Sequence, residues 1–262
     1  RREVGADGIL RVAYTTAINR PKISDRVPAI EERDRGPGRR EVELGNPDLK
    51  SAYAHNFDVM FDYYIRPVGV FSVGAFYKRI DDVIFEISGD RPFEGDIWEV
   101  TRPENGGQGS VMGLELNWQQ SFSNMGVPFD GLGMFATLTL VESEADLPFG
   151  LGEVRLPGQS DQVYNLGLFY EKAGFNARLA YNWRSKYIDD VSLETRDLDT
   201  YWDERGQVDF TTSYQVNETF QLYGEASNLT NTKQNRFSGS ADRVYEREGF
   251  GRVWQVGVRA SF

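Results

Sequence analysis

The 262-residue chain has no cysteine and one histidine, His55. Without thiols there is no disulfide framework, zinc ribbon or thiolate chemistry. No Ser/His/Asp set or Walker-type loop is present either; Gly106, Gly107 and Gly109 stand isolated, and the pairs Asp81/Asp82 and Asp189/Asp190 are too unspecific to mark a calcium site. The expectation is a protein that is not an enzyme and carries neither cofactor nor metal. No stretch approaches the ~18 consecutive apolar residues of a membrane helix. That excludes helical membrane proteins but not membrane β-barrels, whose strands are only half apolar and whose averages look soluble, as does the mean hydropathy of −0.50 here. Positive charge is also scarce: 29 Lys and Arg face 40 Asp and Glu, a net charge of −11, which argues against a nucleic-acid partner that must neutralise phosphates. The opening RREVGADG shows no initiator Met and no apolar export region, so the chain reads as a fragment or a processed product.

What is abundant is two-residue alternation. In the closing run GFGRVWQVGVRASF, Trp254, Val256, Val258, Ala260 and Phe262 share one face, and Val253, Gln255, Gly257, Arg259 and Ser261 the other. Nine further segments repeat the pattern, with apolar faces built by Leu10 to Ile18, Phe57 to Ile65, Phe71 to Tyr77, Met112 to Trp118, Leu132 to Leu140, Tyr164 to Tyr170, Phe175 to Trp183, Val208 to Val216 and Phe220 to Ala226. This makes about ten strands and no convincing helix. A strand of about ten residues at ~3.3 Å each, tilted near ~45°, spans the roughly 25 Å apolar band of an outer membrane.

The connections alternate between short and long. Links at 66–69, 171–174 and 217–219 are tight and 122–130 is modest, whereas 19–54, 88–105, 144–162, 189–203 and 234–249 are long. A soluble β-sandwich gives no reason to put every long loop at one end; an outer-membrane barrel does, with short periplasmic turns and long extracellular loops. Tyr63, Tyr64, Phe71, Phe122, Tyr170, Phe175, Tyr214, Phe220 and Phe262 lie near the short turns and are expected to form a periplasmic aromatic girdle.

The runs INRPKISDRVPAI, GNPDLKSAYAHNFDVMFDYYIRPVGVFSVGAFYKRIDDVIFE, GSVMGLELNWQQSF, LPGQSDQVYNLGLFYEKAGFNARLAYNWRSKY and GQVDFTTSYQVNETFQLYGEASNLTN, with the terminal aromatic strand, resemble the barrel of TonB-dependent outer-membrane receptors. The flavour is that of the subfamily common in Caulobacter-like and Xanthomonas-like bacteria, and Ser51 is a departure where many relatives carry Pro or Glu. The resemblance implies an all-β, antiparallel transmembrane barrel of about 22 strands, of which residues 1–262 are the last ten, without the plug domain and TonB box. It implies localisation in the outer membrane of a Gram-negative bacterium. The implied partners are outer-membrane lipid, the protein's own plug and remaining strands, the TonB complex reached through the missing N-terminal part, and a bulky scarce ligand. An oligosaccharide is the first expectation for that ligand, and a siderophore or cobalamin the alternative. A self-closed ten-stranded outer-membrane barrel, a protease or adhesin, is the rival of another class; it requires the strands near Arg11 and Val256 to pair.

Candidate residues follow from placement. Arg11, Asp58, Asp62, Glu115, Arg178, Arg184, Asp209, Glu225 and Arg259 occupy the polar face and are expected to line the lumen against the plug, where charges must be paired. Trp98, Tyr187, Trp202 and Tyr245 in the long loops are candidates to stack on a ligand. Asn46, Pro47, Asp48 and Leu49 form the family motif, read as turn chemistry at the descent into a strand. Trp254, Val256, Val258 and Phe262 are expected to carry the C-terminal barrel-assembly signal.

Overall fold

The computed structural model describes residues 2–27, 30–34, 40–192 and 195–261. Phe262 therefore lies outside the described residues. Ten long strands dominate: β1 (Gly8–Asn19), β2 (Ala52–Ile65), β3 (Gly69–Asp81), β4 (Gly109–Ser121), β5 (Leu132–Asp146), β6 (Gln162–Lys172), β7 (Phe175–Arg184), β8 (Arg205–Gln215), β9 (Phe220–Ser227) and β10 (Val253–Ala260). Each pairs antiparallel with its sequence neighbour, and with the short strands Arg2–Val4 and Glu153–Val154 they complete one 12-stranded sheet. The order is linear, and β1 does not pair with β10. A self-closed ten-stranded barrel is thereby ruled out for the described residues.

Register turns the alternation of single strands into two continuous faces. Leu10 pairs with Phe61, Phe61 with Val73, Val73 with Leu116, Leu116 with Leu138 and Leu138 with Tyr164, one apolar row across six strands. At the other end Trp254 faces Ala226, Val256 faces Gly224 and Val258 faces Leu222. A slip of one residue anywhere would flip a strand's apolar set to the polar side, so the pattern itself specifies the pairing. This face is not the core of the chain: Val12, Trp254 and Val256 are 67%, 68% and 85% exposed. Tyr64 departs from the expected girdle, because it alternates with Tyr63 and stands on the polar face opposite Val70.

The polar face carries large rings over small partners. Phe135 lies directly across from Gly167, where a Cβ would collide with the ring, and Phe169 stands likewise over Gly133. Such pairing keeps the wall thin where a side chain on both strands would clash.

The buried core sits above the wall, in segments read from sequence as loops. They hold nine short strands in two further sheets. In one, Val191–Ser192, Ile84–Phe93, Asp96–Asn105, Arg40–Leu44 and Ile30–Asp34 are neighbours in that order; in the other, Tyr187–Ile188, Thr200–Trp202, Gln234–Ser238 and Val244–Glu248. Val83, Phe85, Ile87, Ala145, Leu147, Val154, Ile188 and Val191 form their main apolar cluster, and Val42, Trp98 and Val100 a second. These connections are a folded cap, tied together by residues far apart in sequence. A four-residue helix, Ile23–Arg26, is the one α-helix among the described residues.

Candidate functional site

All nine charged residues assigned to the polar face share it by register, and the wall neutralises part of that charge itself. Arg11 forms an ion pair with Asp62, which also accepts a hydrogen bond from Ser72 Oγ at 2.6 Å. Asp209 accepts from Gln207 Nε2 at 2.6 Å, and Gln207 Oε1 accepts from Arg205 at 2.7 Å. Arg259 donates to Gln221 at 3.1 Å, and Arg178 stands 4.3 Å above the Phe135 ring centroid. The Arg11–Asp62–Ser72 and Arg259–Gln221 contacts bridge neighbouring strands and Arg205–Gln207–Asp209 runs along β8; together they hold long polar side chains flat against the sheet.

The family-motif residues staple the cap to the wall. Asn46 is buried; its amide donates to the Pro103 carbonyl at 2.9 Å and to Glu104 at 2.8 Å, while its side-chain oxygen accepts from Asp48 N–H at 3.1 Å. Leu49 is buried beside it, and Arg26 donates to the Pro47 carbonyl. Gly45 is obligatory, since a Cβ there would run into the Val27 carbonyl. At the base of the last connection Asn228, with φ +55°, donates to the carbonyls of Thr232 and Gly251. Its amide is engaged in holding the backbone.

Three of the four candidate aromatics converge in the four-stranded cap sheet. Tyr187 pairs with Trp202, and Trp202 with Arg236. The Arg236 guanidinium stands 4.9 Å from the Trp202 ring centroid and 5.8 Å from that of Tyr245. It also pairs with Asp189, with Glu246 at 3.1 Å and with Asp190 at 3.7 Å. Arg236 is thus the hub of the cluster, a residue the sequence does not single out from other loop arginines. Tyr187 is covered by Arg184 at 4.6 Å, and Tyr245 is the most open ring of the three. Trp98 stands elsewhere: it is buried in the other cap sheet, edge-on to Phe93 at 5.3 Å. Its alternation with exposed Ile97 and Glu99 was the signal that it faces inward.

Beneath this cluster the carboxylate of Asp199, only 2% exposed, accepts the Ser192 N–H at 2.8 Å. Burial pushes its pKa up, partly opposed by that hydrogen bond and by Arg196. A carboxylate raised in the folded state contributes stability below its unfolded pKa and loses it as pH rises through the folded value. Asp199→Asn is therefore expected to become better tolerated, relative to the unsubstituted protein, as pH rises above the ordinary carboxylate range. Asp199→Ala, which removes the carboxylate that accepts the Ser192 N–H, should cost about 1–3 kcal/mol at low pH, read from hydrogen exchange of the Ser192 amide. Among the described residues no group of three or more His, Asp or Glu converges to hold a metal ion.

Comparison with known proteins places these features in a family. Residues 6–229 match the family model "TonB dependent receptor-like, beta-barrel". None of the curated proteins matches the chain. Solved structures do: the siderophore receptor PirA from Acinetobacter baumannii superposes with a TM-score of 0.69 at 14% identity, over 100% of this chain and 40% of that one. A ferric enterobactin receptor mutant from Pseudomonas aeruginosa, solved in complex with enterobactin, gives 0.70 at 16%, over 98% and 39%. The copper transporter OprC gives 0.69 at 17%, over 99% and 38%. At such identity the likeness establishes the fold, and the chain spans about two-fifths of the length of these structures. The linear ten-stranded wall, its two-faced register and the matched family model together make this chain a member of the TonB-dependent receptor β-barrel family.

Proposed function

We propose that the chain is the C-terminal wall of an outer-membrane receptor for TonB-coupled uptake, its apolar face in lipid and its polar face, from Arg11 to Arg259, against a plug domain belonging to the rest of the protein. The observation that carries this reading is the single apolar surface running in register across ten strands and left uncovered by the chain. In water such a surface is a liability; in a bilayer it is the requirement. The partly paired charges opposite it suit a polar domain filling the passage.

For the cargo, a siderophore-type metal chelate is the first reading, supported by the solved relatives, which include siderophore receptors and a copper transporter. An oligosaccharide is the second. It is favoured by the gathering of Tyr187, Trp202 and Tyr245 beside Asp189, Asp190 and Glu246, since flat rings and directional carboxylates suit sugar faces. The full-length receptor, as the sole receptor in an indicator strain, should import a ferric hydroxamate or catecholate only while the proton gradient is intact. Import that survives collapse of the gradient would refute energy coupling, and import of a labelled maltodextrin in place of both chelates would select the second reading. Tyr245→Ala is expected to weaken cargo binding about tenfold, a loss of ~1.4 kcal/mol.

A further inference from the structure

One connection belongs to both cap sheets. Residues 185–204 place Tyr187–Ile188 in the four-stranded sheet, cross to set Val191–Ser192 beside Ile87 and Ser88 in the five-stranded one, and return with Thr200–Trp202. Among the described residues no other connection contributes strands to both. The crossing is closed by the turn Arg196–Leu198 and the residue after it. Asp199 accepts the Ser192 N–H at 2.8 Å and Arg196 donates to the Ser192 carbonyl, so both backbone groups of Ser192 are held from that turn. The neighbouring backbone bonds stay on the four-stranded side: Asp189 N–H donates to the Thr200 carbonyl at 2.8 Å, Thr200 N–H to that of Asp190 at 2.9 Å and Gly239 N–H to that of Asp199 at 2.8 Å. Apolar contact across the crossing is thin. Ile188 joins the main cluster and Tyr201 packs at its margin, with its ring stacked back on Phe237 at 5.2 Å.

The tie depends on a carboxylate in an unfavourable place. An ionised carboxylate out of water is well satisfied by about two or three N–H donors. Asp199 is buried and has the Ser192 amide, with the partly exposed Arg196 guanidinium 3.7 Å away. The other charged groups around it are engaged elsewhere. Asp189, Asp190 and Glu246 surround Arg236, Lys186 stands over the Tyr201 ring, Arg243 donates to the Asp197 carbonyl at 3.4 Å, and Asp242 accepts from Ser240. Glu86, on the strand facing Val191–Ser192, lies within reach of the Asp190 charge. The Tyr201 phenol is pushed up by burial and then by the Asp199 charge, so it stays protonated. Burial thus leaves Asp199 better suited to the neutral form, with Arg196 as the cation that opposes this.

We propose that Asp199 and Arg196 form a clasp on Ser192 that a proton on Asp199 tightens, and that its release frees the four-stranded sheet, with Tyr187, Trp202, Tyr245 and Arg236, to part from the five-stranded sheet as one unit. The neutral carboxyl costs less to bury, so the clasp is strongest at acid pH. It weakens as pH rises through the folded value, where the ionised group gains more from water than from the turn. Hydrogen exchange of the full-length receptor in detergent, corrected for the intrinsic pH dependence of amide exchange, reads this sheet by sheet. Between about pH 5 and about pH 8, protection of 187–188, 200–202, 234–238 and 244–248 should fall together by several-fold, while 84–93 and 96–105 keep theirs. Asp199→Asn has no charge to gain and should flatten that profile. Arg196→Gln removes the cation that favours the ionised carboxylate in place and should move the onset of opening to lower pH. If Asp199→Asn fails the heat-shift assay for a folded barrel, Arg196→Gln alone decides, and an unmoved onset overturns the proposal. So does a wild-type profile flat in pH, equal loss of protection in both sheets, or a folded Asp199→Asn variant that keeps the wild-type slope. The readout is confined to the cap and involves no cargo, so its failure leaves the transport reading untouched.

Discussion

Leu116→Arg should cost about 2–4 kcal/mol of stability in a bilayer, whereas Glu115→Gln, one residue away, should stay within about 0.5 kcal/mol. The two side chains share a strand and a depth and differ only in face. Leu116 stands between Val73 and Leu138 in the middle of the apolar row, where a guanidinium would sit in hydrocarbon without a partner. Glu115 projects to the other side, opposite Gly74 and Thr139, where an amide keeps the shape and loses little. Equilibrium unfolding of the full receptor from lipid vesicles measures both. Equal costs for the two variants would mean that the apolar face is covered by protein and not by lipid, and the receptor reading would fall with it.

The contrast between those neighbours also explains what was legible in the sequence. A wall strand has one apolar and one polar side along its whole length, so period two is written into every segment from Leu10 to Ala260, and register follows because any slip is penalised. The long connections carry the same code in shorter pieces. Val83, Phe85 and Ile87 alternate, as do Trp98 and Val100, but these pieces are flanked by charge and find their partners at a distance: 41–43 run parallel to 99–101, and 191–192 parallel to 87–88. Nothing local announces such pairings, and the segments read as open loop. Trp98 illustrates the consequence, a ring expected to meet ligand that instead fills a small core. Arg236 illustrates the converse. Its importance comes from Trp202, Tyr245, Asp189 and Glu246 meeting around it, and no spacing along the chain records that meeting.

A cap with its own core has a mechanical implication, for which Phe85→Ala is the sharpest probe. Phe85 is 3% exposed and packs in one cluster with side chains from three separate connections, Val83 and Ile87, Leu147 with Val154, and Ile188 with Val191, and with Ala145 at the end of β5. Truncating it should cost about 3–5 kcal/mol. Because its cluster meets the wall only at the upper ends of β3 and β5, through Ile80 and Ala145, and the wall ladders run on below, the loss should appear as local opening of the cap, with the barrel intact. Hydrogen exchange should accelerate in 82–108, 147–161 and 185–204 while β4 to β8 stay protected, and the heat-shifted mobility of the folded barrel should persist. If exchange rises equally in β4 to β8, cap and wall are one cooperative unit and the cap cannot rearrange alone. If the opening is local and cargo affinity falls at least tenfold, recognition depends on a preformed cap surface, since a binding site assembled from flexible loops would pay the ordering cost in either protein and lose little.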